Sequence, residues 1–302
     1  MSYQQIKILP ILLSIMFLVL GIYLNQQLID NSIQLKEEKN TYTQKLNYKK
    51  RFLDKNEWIK GSKGSIVVNT THLQLEQRIK DKKEAIYTST QLILLSCILY
   101  GLLMLLFQYI QKQENHFALG IISLSLVCLH AGLFCPMLEI AAFEQDLDLG
   151  KMPISTTVLG VDISIKFEKV FEGRMYFFYQ SKSVKELIGV LFSQGNYVVG
   201  ISILSFSVLF PLIKTLITLW ACLQSSISQR KWFKLFIANL GKWSMADVFV
   251  VATFLAFLAF DNMQVGVGTE SNTLLGLYFF IAYCFLSILS SSILKKQHKH
   301  QA

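Results

Sequence analysis

Two ionisable side chains lie within apolar stretches of the chain, where a charge needs a physical reason. Lys214 and Asp247 each fall in a run long enough to cross a membrane, and a charge at membrane depth costs roughly 2.5–3.5 kcal/mol on insertion scales. If Trp220 and Trp243 mark one membrane boundary, a rise of about 1.5 Å per residue places the two charges about 9 Å and 6 Å deep. These similar depths predict an ion pair that couples to a proton or a substrate. The alternative is a structural pair, or two side chains that reach nearby headgroups.

The span that carries Lys214 also has a polar face. Four of its residues follow one another at steps of four, three and four, and therefore share one side of a helix: Ser207, Pro211, Lys214 and Thr218. Pro211 has no N–H for the Ser207 carbonyl, which predicts a kink, and kinked polar faces in membranes line cavities or packed interfaces. Ser244 shares a face with Asp247 in the same way. Pro136 is a second predicted helix break.

The remaining polar residues and the cysteines form no recognisable catalytic or metal-binding motif. Glu139 and Asp261 are predicted to lie at membrane boundaries, and His130 is predicted to be a packed, hydrogen-bonded histidine on the helix face opposite Glu139. The five cysteines all fall in apolar segments without a CxxC pair, which favours neither a zinc ribbon nor a disulfide framework. No phosphate-binding glycine loop, HExxH motif or nucleophile elbow occurs. We therefore expect no enzymatic activity, no metal and no cofactor.

The composition indicates the elements that must hold these residues. Of 302 residues, 52% are hydrophobic and only 16% are charged, whereas a soluble protein carries about 25% charged residues. Apolar runs of about 20 residues, the length that crosses a bilayer, occur six times. They are Ile8–Leu28, Ala85–Ile110, Phe117–Phe143, Tyr197–Leu223, Trp243–Phe260 and Thr273–Leu294. We predict an all-α integral membrane protein of about six transmembrane helices, the first of them an uncleaved anchor.

The distribution of charge predicts the orientation. The net charge of +9 comes without a recognisable nucleic-acid motif, so we expect no nucleic-acid partner. The tail 295–302 and the loop 230–242 are basic, which places both termini in the cytoplasm and segments 29–84 and 144–196 outside. Segment 29–84, with 13 basic and 8 acidic residues, would by charge alone prefer the cytoplasm. Loops of this length translocate with weaker regard for charge, so the later loops decide.

The two extracytoplasmic segments differ in pattern. Segment 29–84 contains good helix formers on both sides of a break at Gly61–Gly64, which predicts a helical hairpin; a largely disordered loop is the alternative. In 144–196, alternating β-branched and aromatic runs predict a small β-element, followed by an amphipathic helix over Ser183–Phe192. The predicted domains are an anchor helix 1–28, the hairpin 29–84, a second transmembrane helix 85–112, a four-helix module 117–294 with insert 144–196, and the basic tail 295–302.

Three sequence runs carry a family resemblance. The run GKWSMADVFVV at 241–251 closely resembles the GRWSMLDVFVVA signature of the paraquat-inducible protein A family of bacterial inner-membrane proteins. The runs FSVLFPLIKTLITL at 206–219 and GLFCP at 132–136 resemble two further spans of that family. Together the similar region covers about residues 117–294.

The resemblance implies a four-helix transmembrane module that moves lipids between the inner and outer membranes together with mammalian-cell-entry-type proteins. Lys214, Ser244 and Asp247 match polar membrane positions that the family is proposed to use for proton coupling. Family members commonly have two modules and zinc ribbons, whereas this chain has one module, no ribbon and an added pair of spans. From the resemblance, the expected function is inner-membrane lipid transport that supports the envelope. The alternative is a non-transporting adaptor that recruits an envelope protein through the hairpin. A homo-oligomer is left open.

Overall fold

The computed structural model describes residues 3–55, 58, 70–111, 114–151, 154–158, 161–165, 169–223 and 268–300. Its helices are α1 (Tyr3–Lys45), α2 (Tyr48–Leu53), α3 (Thr70–Gln111), α4 (Glu114–Phe134), α5 (Val184–Ser193), α6 (Tyr197–Leu204), α7 (Phe210–Leu223) and α8 (Leu275–His300). Its strands are β1 (Leu138–Asp148), β2 (Ile154–Val158), β3 (Val161–Ile165), β4 (Val170–Lys182) and β5 (Gly268–Thr273). The described part is thus mostly helical, with a small sheet.

Five of the six predicted spans correspond to helices that are long and apolar enough to cross a membrane. They are α1, α3, α4, the continuous segment α6–α7 and α8. The other predicted span, Trp243–Phe260, lies outside the described residues, as does Asp261. Residues 295–300 of the predicted tail continue α8.

The third span is shorter than predicted, and the prediction for its last residues is wrong. Helix α4 ends at Phe134, and Leu138–Asp148 form strand β1 instead of a continuing helix. Pro136 therefore ends the helix; it does not lie within it. The residues after it are apolar because β1 is the central strand of a sheet, and hydropathy alone does not distinguish a short buried strand from a helix.

The sheet has the order β4-β1-β5, and both pairs are antiparallel. The predicted β-element is confirmed in β4 and in the β2–β3 hairpin, whereas β1 and β5 were not foreseen. After β4, the amphipathic helix α5 is confirmed: Ser183 and Glu186 form a reciprocal capping box at its start. We call the end of the helices at which this sheet lies the sheet end.

Helix α4 is the centre of the membrane part, since most of it is buried and it packs against α1, α3, α7 and α8. The contact with α8 is close: an added Cβ at Gly132 would lie 2.9 Å from the Phe280 Cα. The two added helices, α1 and α3, pair with each other through Phe17 stacked on Tyr100, with 3.9 Å between ring centroids. The Tyr100 hydroxyl also contacts the Ser14 hydroxyl at 2.8 Å. The added pair therefore forms one wall of the helix bundle.

The predicted hairpin is helical in both arms, and its first arm packs on the sheet. The Tyr176 N–H of β4 donates to the Leu46 carbonyl at 3.0 Å, just beyond the end of α1. Arg51 of α2 donates to the Glu172 carbonyl at 3.0 Å, and Phe52 stacks on Phe171. The predicted break at 61–64 lies outside the described residues. The hairpin is thus fixed to the module by β4.

Candidate functional site

The polar face predicted on the fourth span is a buried face of the structure. Ser207 is fully buried, Lys214 is 7% exposed and Thr218 is 4% exposed, and Pro211 is buried with them. Thr218 donates its hydroxyl to the Lys214 carbonyl at 2.6 Å, so the hydroxyl is satisfied within the helix. A spacing argument from the sequence alone therefore identified the residues that turn away from lipid.

The predicted break at Pro211 takes the form of a π-helical turn. Ser205–Leu209 form this turn between α6 and α7, and the Phe210 N–H donates to the Ser205 carbonyl five residues earlier. Such turns occur frequently at functional sites in helices. The Ser207 hydroxyl is buried there and has no hydrogen-bond partner in the described part of the chain. Ser244 and Asp247 lie outside the described residues, so their pairing with Lys214 stays a prediction.

A half-open apolar cavity of about 540 Å³ lies beside this span. Its walls come from four parts of the chain: α1, α4, α5 and the α6–α7 segment. The residues from the last of these are Leu204, Val208 and Leu212, one turn apart along the helix. Sequence reasoning missed the cavity because it is formed between helices that are distant in the sequence.

Two polar side chains line this otherwise apolar cavity. Lys185 of α5 lies at the sheet end, with its Nζ 5.1 Å from the centre of the Phe134 ring. His130 of α4 lies deeper, and its Nδ1 is 3.5 Å from the Asn25 Nδ2, which donates to the Val127 carbonyl at 2.8 Å. A hydrogen-bonded histidine agrees with the prediction, although its position on a cavity wall was not foreseen. The cavity thus combines an apolar body with a cation at one end.

Glu139 differs from its predicted position at a helix end. It lies on β1, is 8% exposed, and pairs with Lys39 of α1 at 2.6 Å. The Tyr179 hydroxyl donates to the same carboxylate at 3.0 Å. Burial, and next the charge of Glu139, raise the pKa of the Tyr179 phenol, so it remains a donor at neutral pH. The three side chains join the hairpin to the sheet.

A second ion pair fixes α1 to α5. The Lys36 Nζ lies 2.6 Å from the Glu186 carboxylate, which also accepts from the Ser183 N–H in the capping box. Lys36 and Lys39 are three residues apart and so share a face of α1. That spacing was visible in the sequence, but the partners on α5 and β1 were not. The cavity wall formed by α1 is therefore held by two ion pairs at the sheet end.

Replacing Lys39 by methionine is expected to lower the free energy of unfolding by roughly 3 kcal/mol, because it leaves the buried Glu139 carboxylate without its cation. Thermal unfolding of the purified protein measures this. The matched control is Arg78→Met, which removes the more exposed ion pair with Glu38 at 3.6 Å. That change is expected to cost less than about 1 kcal/mol. Equal losses in both variants would contradict the structural importance of the Lys39 pair.

No metal-binding cluster is present in the described ranges: no three His, Cys, Asp or Glu side chains gather there. The five cysteines are free thiols.

Comparison with known proteins gives one match. Residues 168–302 match the family model of paraquat-inducible protein A. No curated protein and no solved structure matches the chain. The matched region includes the runs at 206–219 and 241–251, whereas the GLFCP run at 132–136 and the added helices α1 and α3 lie before it. Residues 168–302 of this membrane protein are therefore similar to the paraquat-inducible protein A family.

Proposed function

We propose that the protein is an inner-membrane component of intermembrane lipid transport, which passes lipid to or from a mammalian-cell-entry-type partner and supports the envelope. The observation that carries the proposal is the apolar cavity of about 540 Å³ with Lys185 at its sheet end. A volume of this size is within the usual range for ligand sites, about 300–1,000 Å³. In this proposal both termini are cytoplasmic and the sheet is extracytoplasmic.

The cavity has the polarity of a phospholipid. Acyl chains match a lining of leucine, isoleucine, valine and phenylalanine, and a phosphate is attracted to the Lys185 ammonium at the end. Val208, which lines the cavity, lies in the π-helical turn, so the helix geometry changes at this point of the wall. A wall with such a turn has the local freedom to repack when a lipid enters or leaves. The buried face with Lys214 belongs to the same segment, which supports a coupling charge close to the cargo.

The partner in this proposal approaches from the sheet end. The hairpin and the sheet form the described structure there, and the hairpin carries Leu53, whose side chain is 82% exposed. Phe178 of β4 is another exposed apolar side chain on the sheet. In this proposal Leu53 and Phe178 contribute to the contact with the partner.

Filling the cavity tests the proposal. Leu212→Trp introduces a larger side chain into the cavity, and its neighbour Ile213, which is 44% exposed and does not line it, provides the control Ile213→Trp. We expect Leu212→Trp to lose crosslinking of a photoreactive phospholipid to α5, which lines only this cavity, and to fail to complement an envelope-permeability defect. Ile213→Trp should retain both. Equal crosslinking in the two variants would refute the assignment of this cavity to lipid.

The adaptor remains the second candidate because the hairpin is fixed to the sheet and exposes Leu53. Deletion of 31–83 would also remove Lys36 and Lys39, so a point substitution separates the two functions better. Under the adaptor hypothesis, Leu53→Lys abolishes recovery of the crosslinked envelope partner and all complementation, and Leu212→Trp leaves both intact. Under lipid transport, Leu212→Trp abolishes complementation.

A further inference from the structure

A small pocket of about 200 Å³ lies at the sheet end, between α1, α3 and the sheet, away from the cavity already described, and both polar and apolar side chains line it. Ser181 of β4 lines it and is 2% exposed, and its hydroxyl has no hydrogen-bond partner within the described ranges. A buried hydroxyl without a partner is unfavourable, because it has lost its water without replacement. The pocket therefore contains a donor available to a bound group.

The pocket also has an excess of positive charge. Lys36, Lys39 and Lys83 line it, and the first two are paired with Glu186 and Glu139. Lys83 is exposed at the pocket and makes no ion pair with another described residue. One cation and one buried hydroxyl thus remain for an anion, and a phosphate group has acceptor oxygens for both.

An apolar groove of about 430 Å³ lies next to this pocket, along the helices. Leu275 of α8 lines both. On α3, Ile86 lines the pocket, whereas Thr90, Leu94 and Ile98 follow at steps of four and line the groove. Positions four apart share one helix face, so the pocket and the groove together extend about 18 Å along α3 from Ile86 to Ile98.

We propose that this pocket and groove together bind one anionic phospholipid, with its phosphate on Ser181 and Lys83 and an acyl chain along Leu94 and Ile98. The lipid joins the added helix α3 to α8 of the family-matched region. Neither the pocket nor the groove shares a lining residue with the cavity of the proposed transport path. The lipid bound here is therefore distinct from the transported one, and its site does not depend on the proposed function.

A membrane lipid is the occupant that matches both halves of the site. Leu94 and Ile98 are exposed on a helix long and apolar enough to span the bilayer, where lipid is the surrounding solvent. A lysine at the end of the apolar part of such a helix attracts the phosphate of an anionic headgroup. A free phosphate ion would occupy only the pocket and leave the groove empty, which provides an experimental distinction.

The headgroup half is tested on the full-length protein in detergent by native mass spectrometry with added phosphatidylglycerol. We expect Lys83→Gln and Ser181→Ala each to weaken binding about tenfold, the effect of losing one charge-assisted hydrogen bond. Lys80→Gln removes an equal charge from α3 outside the pocket and should bind as the unmodified protein does. Phosphatidylcholine should not compete at equal concentration. Equal binding by Lys83→Gln and Lys80→Gln, or competition by phosphatidylcholine, would overturn the proposal.

The acyl half is tested by Ile98→Trp against Leu99→Trp. Both side chains are exposed on α3, but only Ile98 lines the groove. We expect Ile98→Trp to weaken phosphatidylglycerol binding about tenfold while Leu99→Trp binds normally. Inorganic phosphate should compete poorly with the lipid in the unmodified protein. Full competition by inorganic phosphate, together with normal lipid binding by Ile98→Trp, would show an ion site and refute the lipid.

Leu212→Trp separates this proposal from the proposed function. It fills the transport cavity and should leave phosphatidylglycerol bound in the pocket and groove beside α3. The native mass spectrum should therefore keep the peak for one bound lipid. Loss of that peak in Leu212→Trp, with retention in Ile98→Trp, would place the bound lipid in the transport cavity and contradict the second site.

Discussion

Replacing Lys214 by methionine is expected to abolish complementation of an envelope-permeability defect while the protein accumulates to its normal level. Lys214 is 7% exposed on the buried face of α7, and methionine has an apolar side chain of similar length that fills the same space. The packing of α7 should therefore be retained when the proposed coupling charge is removed. Complementation and the membrane content of the protein are measured together. We expect the same loss for Asp247→Asn.

The double variant Lys214→Met with Asp247→Asn distinguishes coupling from a structural ion pair. If protonation of Asp247 releases Lys214 during transport, removal of both charges leaves nothing to titrate and the double variant stays inactive. If the pair only stabilises the bundle, removal of both charges relieves the unpaired one and restores function. Ile213→Met, on the exposed side of the same helix, should retain activity. Normal complementation by both single variants would refute the coupling mechanism.

The polar face of α7 could be predicted because it depends on a local rule. Helical spacing alone places Ser207, Pro211, Lys214 and Thr218 together, and the structure buries all four. The amphipathic helix α5 followed from the same kind of pattern, since its capping residues Ser183 and Glu186 are three apart. Features of this kind depend on the spacing of nearby residues in one helix, so the sequence is sufficient to find them.

Strand β1 could not be predicted, because the decision between helix and strand is made by its neighbours. Glu139 reads as the end of an apolar helix until β4 and β5, more than 20 residues away in sequence, supply the hydrogen bonds of a sheet. The docking of the hairpin on the sheet could not be predicted for the same reason. Lys39 carries no sign that its partner is Glu139, 100 residues later.

The cavity and the groove likewise could not be predicted, because they form only when the helices pack together. Leu18 and Ile22 of the added helix α1 complete the cavity whose other wall comes from α6–α7. The added pair of helices is therefore more than an anchor for the hairpin, because it supplies walls to the cavity and to the groove. The matched residues 168–302 do not form the cavity or the groove alone, because both are also lined by helices that precede residue 168.

Gly276→Ala is expected to lower the free energy of unfolding by about 1–3 kcal/mol, the range for overpacking a close contact. An added Cβ at Gly276 would lie 2.7 Å from the Pro136 carbonyl oxygen, a backbone atom that cannot move as a side chain can. The same oxygen accepts the Gly276 N–H at 3.1 Å, which holds the start of α8 against the end of α4. Any adjustment must therefore shift both helices. Thermal unfolding in detergent measures the effect.

Gly101→Ala is the matched control for this change, because it adds the same methyl group to a glycine in the interior of α3 where nothing lies within 4 Å. Alanine is favoured over glycine within a helix by about 0.5–1 kcal/mol, so this variant should unfold at a higher temperature than the unmodified protein. The two substitutions are chemically identical and are expected to shift stability in opposite directions. Equal shifts of the same sign would contradict the close backbone contact between α4 and α8, because only that contact distinguishes the two sites in this argument.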